Sequence, residues 1–370
     1  MQRVARAIRR ELSGAATCVC LDPYEGAWRP LEDWEEANLD APAPSGGRGA
    51  RWTLGARVRG RLRRWRRRAP PLGGHACGGA LVPEIFSPEV AAALPALFAA
   101  SPGPRVALFH DAIALQFPEL TPQATVARFP SYLRELLLFD GVAAVSEDSR
   151  ASLLAYWRWL GAASTPQVAA ITLGVDPAPP QESQPPPAVP TVLCVGSIEA
   201  RKNHLALLEA CESLWARGVR FELRLIGLAN AETGSAALER IGQLRSAGRP
   251  LAYEGAQGDE ALESAYAQCA FTVYPSIAEG FGLPVAESLL RGRACLCRST
   301  GALGEISAAG GCAGIGAAGP AEIAAAIDRL LGSPGELARL ESAARGRRFK
   351  SWSDYAAELL GWMGTLARHA

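Results

Sequence analysis

The sequence predicts an α/β protein of two Rossmann-like domains facing each other across a cleft. Three observations carry this. Residues 191–331 alternate cleanly between short apolar runs and helix-length segments, the pattern of a parallel sheet with crossover helices. Residues 1–176 show the same alternation less regularly. Between them lies "PAPPQESQPPPAVP" (177–190), a proline-rich, semi-rigid spacer that reads as a domain boundary.

In the first half, residues 16–21, 105–110, 141–145 and 168–173 have strand character, and 2–12, 88–99, 123–139 and 149–160 helix character. In the second, strands are expected over 191–195, 221–226, 251–254, 270–274 and 294–297. Helices are expected over 204–217, up to about 247, over 259–268 with Asp259 as N-cap, and over 284–291 and 321–331. The run 351–370 is helical by spacing. The expected division is therefore 1–176, a linker over 177–190, a second domain over 191–350 and a terminal helix over 351–370. Ligands of such sheets sit at the carboxyl ends of the strands.

Composition narrows the class. With 370 residues, 49% hydrophobic and 20% charged, the chain can bury a large core. A net charge of +1 predicts no general attraction to nucleic acid. The nine cysteines are scattered. Cys18/Cys20 and Cys295/Cys297 are C-x-C pairs in strand-like runs, so each pair shares a strand face and is expected in the core. Zinc spacings of the C-x-x-C type are absent, and no metal site is expected. Free thiols suit a reducing compartment. The opening "MQRVARAIRREL" is an amphipathic basic helix without an apolar signal core, and the apolar stretches are too short to span a bilayer. The expected location is cytoplasmic, either free or peripheral at the inner face of the cytoplasmic membrane.

One segment breaks the charge balance. "ARVRGRLRRWRRR" (56–68) sets Val58, Leu62 and Trp65 among arginines. A solvated helix or loop face is one reading. The other is a patch over 57–68 for anionic lipid headgroups or an anionic acceptor, with Trp65 at the interface.

Two motifs carry chemistry. In "VGSIEARKNH" (195–204) a strand ends at Gly196, a loop carries Arg201 and Lys202, and Asn203 is placed to cap the next helix. Two cations at the carboxyl end of a strand suit a diphosphate. In "PSIAEGFGLPVAES" (275–288) Gly280 and Gly282 permit a sharp turn, and Pro284 fits a helix first turn whose free N–H groups favour phosphate. Glu279 and Glu287 flank that turn as acceptors for hydroxyls. Phosphate between two hydroxyl-bearing groups describes a nucleotide-diphosphate sugar. "GIGAAG" (314–319) matches G-x-G-x-x-G by spelling, but the following strand and acid of a dinucleotide site are missing.

Together these segments resemble the donor site of GT-B glycosyltransferases of family 4, with their E-x7-E motif. "FHDAIALQFPE" (109–119), "VSEDSR" (145–150), "LGVD" (173–176) and "GDEALESAY" (258–266) extend the resemblance over most of the chain, in the family's order. It implies that Arg201 and Lys202 hold the donor diphosphate, that Glu279 binds the donor sugar, and that Glu287 binds ribose. Backbone near Phe281, Gly282 and Leu283 would touch sugar and phosphate, with Gly196 and Asp111 lining the donor site. His110 would reach the sugar or transition state from across the cleft. It further implies retention of anomeric configuration by a front-face mechanism, without metal or cofactor. The donor would be GDP- or UDP-linked, and the acceptor a polysaccharide or glycolipid. "FHDAIAL" most resembles members that transfer mannose or related sugars.

The chain departs from the family at its start. The family opens on a strand and a glycine-containing loop, whereas here Met1 directly precedes "QRVARAIRREL". A first domain lacking its first strand is expected, with Arg3 a candidate phosphate contact. The resemblance also implies that the last helix crosses back to the first domain. Two other functions compete with this reading: a non-catalytic glycosyltransferase-like scaffold or partner subunit with a degenerate first domain, and a GT-B epimerase, whose acid/base set is not evident.

Overall fold

The computed structural model describes residues 2–40, 54–65, 78–178 and 188–366. Most of the proline-rich segment lies outside the described residues, as do 66–68 of the basic run.

The first half runs α1 (Gln2–Glu11), β1 (Val19–Asp22), β2 (Ala27–Pro30), α2 (Asp33–Asp40), α3 (Leu54–Trp65), β3 (Ala80–Val82) and α4 (Pro88–Ala99). It continues with β4 (Arg105–Phe109), α5 (Ile113–Gln116), α6 (Gln123–Glu135), β5 (Gly141–Ala144), α7 (Glu147–Leu160) and β6 (Gln167–Ala170). Strands β3-β4-β5-β6 form a parallel sheet in sequence order, with Val106, Leu108, Phe109 and Val142 fully buried. β1 and β2 stand apart as an antiparallel hairpin.

That hairpin corrects the sequence reading, which placed 16–21 among the sheet strands. Asp22 explains the turn: its Oδ1 accepts the N–H groups of Tyr24 and Glu25 at 2.8 and 3.1 Å, folding the chain back at once. Buried Arg29 then joins Asp22 at 3.0 Å and Glu35 at 2.6 Å, fixing the hairpin to α2.

The second half runs β7 (Thr191–Val195), α8 (His204–Ala216), β8 (Glu222–Ile226), α9 (Ser235–Ser246), β9 (Leu251–Tyr253), α10 (Asp259–Gln268) and β10 (Phe271–Tyr274). Then follow α11 (Leu283–Leu290), β11 (Cys295–Arg298), α12 (Gly301–Ser307), β12 (Cys312–Ile315), α13 (Pro320–Gly332), α14 (Pro334–Arg345) and α15 (Trp352–Gly364). All six strands are parallel, in the order β12-β11-β10-β7-β8-β9. Read from β9, this is the doubly wound order, whose winding reverses between β7 and β10. The crevice at that reversal is where such sheets take ligands.

Two caps differ from expectation. Gly258, not Asp259, is the N-cap of α10, and Asp259 lies inside the first turn. Asn203 makes no side-chain cap of α8. It takes a left-handed conformation (φ 60°) and donates to the carbonyls of Pro275 and Ala318, at 3.2 and 2.8 Å.

α15 opens on a capping box between Ser351 and Asp354. It packs on the first half: a Cβ on Gly141 of β5 would lie 2.6 Å from Leu366 and 2.8 Å from Trp362. One apolar cluster therefore runs from α1 (Val4, Ile8) through β4 and β5 to α11 and α15. It joins both halves of the molecule.

Candidate active site

The sheet reversal sets two loops side by side. The loop after β7 carries Arg201 and Lys202, and the loop after β10 carries Glu279 to Gly282. The Ile277 N–H donates to the Arg201 carbonyl at 2.8 Å, which locks them together. Across this bridge the charged side chains meet. Arg201 Nη1 lies 2.6 Å from Glu279 Oε2, and Lys202 Nζ pairs with Glu279 Oε1. Arg201 Nη2 also reaches Glu199 at 2.7 Å.

Burial alone would push the Glu279 carboxyl up, but Arg201 and Lys202 outweigh it and hold it at about 2. Glu279 is thus ionised at neutral pH, and its carboxylate and that of Glu199 keep Arg201 charged.

Gly280 and Gly282 are needed where they stand. Gly282 caps α11 at φ 103°, a conformation that L side chains rarely adopt. A Cβ on Gly280 would lie 2.1 Å from the His110 carbonyl oxygen, so only glycine lets this loop meet the end of β4. Pro284 sits in the first turn of α11, where its missing N–H costs no helix hydrogen bond. Phe281 is buried in the shared core, and Leu283 begins α11. Gly196 has nothing within 4 Å of where a Cβ would stand, so the backbone beside Arg201 is open to a ligand.

The other wall comes from the first half. His110 follows β4 and is buried; its Nε2 is 2.8 Å from the Pro83 carbonyl oxygen. Donation to that carbonyl leaves Nδ1 with the lone pair, a hydroxyl-proton acceptor. Burial holds the imidazole at about 4, hence neutral. Asp111 accepts the Ile113 N–H at 3.0 Å. Burial raises its carboxyl, and the Arg201 charge opposes that rise.

Several contacts within and between the two halves were not visible from the motifs. Ser146 Oγ donates to the Gly280 carbonyl at 2.6 Å, and Ser149 Oγ to the His110 carbonyl at 3.0 Å. Glu305 of α12 accepts the first N–H groups of α7, those of Glu147 (3.1 Å) and Asp148 (2.7 Å). Glu287, one turn into α11, pairs with Arg3 of α1, which also donates to Asp176 at 3.0 Å. Arg298 of β11 bonds the Ile277 carbonyl. "VSEDSR" and "LGVD" had marked Ser146, Ser149 and Asp176 as members of motifs, but their partners depend on how the halves meet.

The "GIGAAG" loop holds no dinucleotide geometry. Its N–H groups at Gly316, Ala317 and Ala318 converge on Glu322 at 2.6, 2.9 and 3.0 Å, so the chain's own carboxylate fills the nest.

Residues 177–347 match the family model described as glycosyl transferases group 1. This segment is similar to the group 1 glycosyltransferases. The chain is 27% identical over 238 residues to the serotype-specific mannosyltransferase WbdA of Escherichia coli, covering 60% of this chain and 29% of that protein. It is 28% identical over 214 residues to the O-antigen chain mannosyltransferase B of Escherichia coli, covering 54% of each. The chain thus spans between about a quarter and a half of these relatives. Anabaena Alr3699/HepE, solved with UDP and glucose, shares the GT-B architecture at a TM-score of 0.62 and 16% identity, covering 77% of this chain and 78% of that one. In this segment Arg201, Lys202 and Glu279 meet at the sheet reversal, Glu287 lies one turn into the adjoining α11, and His110 and Asp111 of the first half lie against Gly280.

Proposed function

We propose that the chain is a retaining, metal-independent glycosyltransferase. It moves a hexose, mannose-like by similarity to the mannosyltransferases above, from a GDP- or UDP-linked donor to a polysaccharide or glycolipid acceptor. One observation supports this most: Arg201 and Lys202 converge on Glu279 at the sheet reversal, beside the α11 N-terminus.

Glu279 and Glu199 pair with the two cations and neutralise their charge. A donor diphosphate competes for Arg201 and Lys202. As it binds, it releases the Glu279 oxygens, which then accept hydroxyls of the donor sugar. Charge that grows on the departing phosphate is met by both cations and by the α11 N–H groups, without reorganisation. That phosphate takes the acceptor hydroxyl proton on the same face. Glu287 accepts hydrogen bonds from the ribose hydroxyls once Arg3 yields, and His110 Nδ1 accepts one from a sugar hydroxyl on the opposite wall.

The protein works peripherally at the inner membrane face, docked through α3. Leu54, Val58, Leu62 and Trp65 are all exposed and fall on one helical stripe, flanked by arginines. No described helix is long and apolar enough to cross a membrane.

The test is a thermal-shift screen of nucleotide sugars on this chain and on one extended upstream, with transfer assays on every hit. Stabilisation by at least one nucleotide sugar is expected. No stabilisation in either form overturns the proposal.

A further inference from the structure

Outside the crevice, β11 and β12 carry a group of side chains that the glycosyl-transfer reading does not use. Cys295 and Cys297 share one face of β11. Cys312, on β12, is the register partner of Cys295. Their three sulfurs all lie within 4.8 Å of one another. Cys295 and Cys297 are fully buried, Cys312 is partly exposed, and all three are free thiols.

From this convergence we infer that Cys295, Cys297 and Cys312 form a binding site for a soft, thiol-seeking metal ion, monovalent copper being the best match. Sulfurs that share an ion at about 2.3 Å stand about 4 Å apart, within the spacing already present. No histidine or carboxylate joins the three sulfurs among the described residues. Zinc in closed sites takes four ligands, so three sulfurs alone favour an ion content with fewer. Thiolates select such soft ions over hard ones. Leu289, Ile306 and Ala344 belong to the same apolar cluster as Cys295 and Cys297, surroundings that disfavour strongly hydrated ions. Cys312 is the partly exposed member of the three, and Arg347 is anchored nearby on the carbonyls of Ile306 and Gly310, at 2.8 and 2.7 Å. Each thiol that binds releases its proton to solvent. The guanidinium offsets part of the remaining thiolate charge.

The site's position gives it a structural consequence. β12 is the edge of the second sheet, and the loop after it meets Asn203 at the head of α8. An ion shared by β11 and β12 pins that edge, and binding to the folded state alone raises its stability.

The experiment uses the full chain, reduced and metal-free, titrated anaerobically with Cu(I) against the competing chelator bicinchoninate. We expect one equivalent withdrawn from the chelator, ultraviolet copper–thiolate absorption, and a higher melting temperature. Cys312→Ser and Cys312→Ala should abolish all three effects while keeping the parent's circular dichroism and metal-free melting. Cys18→Ser should change none of them. Absence of withdrawal by the parent overturns the site, as does equal withdrawal by the Cys312 variants. A Cys295–Cys312 disulfide that leaves no copper binding after reduction overturns it too.

Discussion

Glu279 Oε2 accepts from Arg201 Nη1 at 2.6 Å, while its other oxygen is taken by Lys202. The carboxylate that the proposal assigns to the donor sugar is therefore held by the cations assigned to the diphosphate. Replacing Glu279 by Gln removes the competitor and keeps the shape. The variant should bind free nucleoside diphosphate several-fold more tightly and lose about 100-fold or more in kcat. Calorimetry and a transfer assay read the two effects separately. Weaker diphosphate binding would contradict the account.

Lys202→Ala removes one of the two cations on the leaving phosphate. Transfer should fall by about 100-fold or more, with melting close to that of the parent. Combined with Glu279→Ala, transfer should be abolished and the circular dichroism spectrum kept. Surviving activity in the double variant would remove both residues from the site.

Arg3 occupies an oxygen of Glu287 that ribose would use. Arg3→Gln should tighten nucleoside diphosphate binding about threefold or more, read by titration. Weaker binding would instead make Arg3 a phosphate contact.

Gly280→Ala places a methyl group 2.1 Å from the His110 carbonyl oxygen, against backbone that has no easy retreat. It should part the two walls of the crevice, lower kcat/KM at least tenfold, and enlarge the radius of gyration in solution scattering. Unchanged scattering and activity would show that the contact is dispensable.

Acid should weaken the fold through its buried histidines. Burial holds both His110 and His204 at about 4, below the ordinary 6.5. Above pH 6.5 neither state gains a proton, and their contribution is fully present. As pH falls toward 4, the unfolded chain takes protons that the folded chain refuses, so stability is lost at up to ~1.4 kcal/mol per pH unit for each group. Denaturant midpoints measured between these limits should fall with pH, and His110→Asn should flatten the slope.

Much of this was legible in the sequence, and the losses have physical causes. The second sheet could be read because buried parallel strands alternate with amphipathic helices at full length. Strands β3 and β12 were missed: Gly78, Gly79 and Pro83 flank the first, and Gly310, Gly311, Gly314 and Gly316 punctuate the second, so neither reads as a bounded apolar run. The apolar run before Asp22 resembled a sheet strand, and only the Asp22 turn shows it as a hairpin. Arg201, Lys202, Glu279 and Glu287 could be placed from strand ends and glycine turns. Their pairing with one another and with Arg3 could not, since it depends on side-chain reach across loops far apart in the chain. Cys312 joins Cys295 and Cys297 only through strand register, which no cysteine spacing reveals.

The central claim is that this crevice holds a nucleotide sugar, with Glu279 on the sugar and Glu287 on the ribose. Calorimetric titration with GDP-mannose, UDP-glucose and their free nucleoside diphosphates tests it most directly. The account predicts one-to-one binding of at least one nucleotide sugar. Glu287→Ala should weaken both that donor and its diphosphate about tenfold or more, and Glu279→Ala should abolish the donor's advantage over the diphosphate. Absence of binding by every ligand, or binding untouched by either substitution, would contradict it.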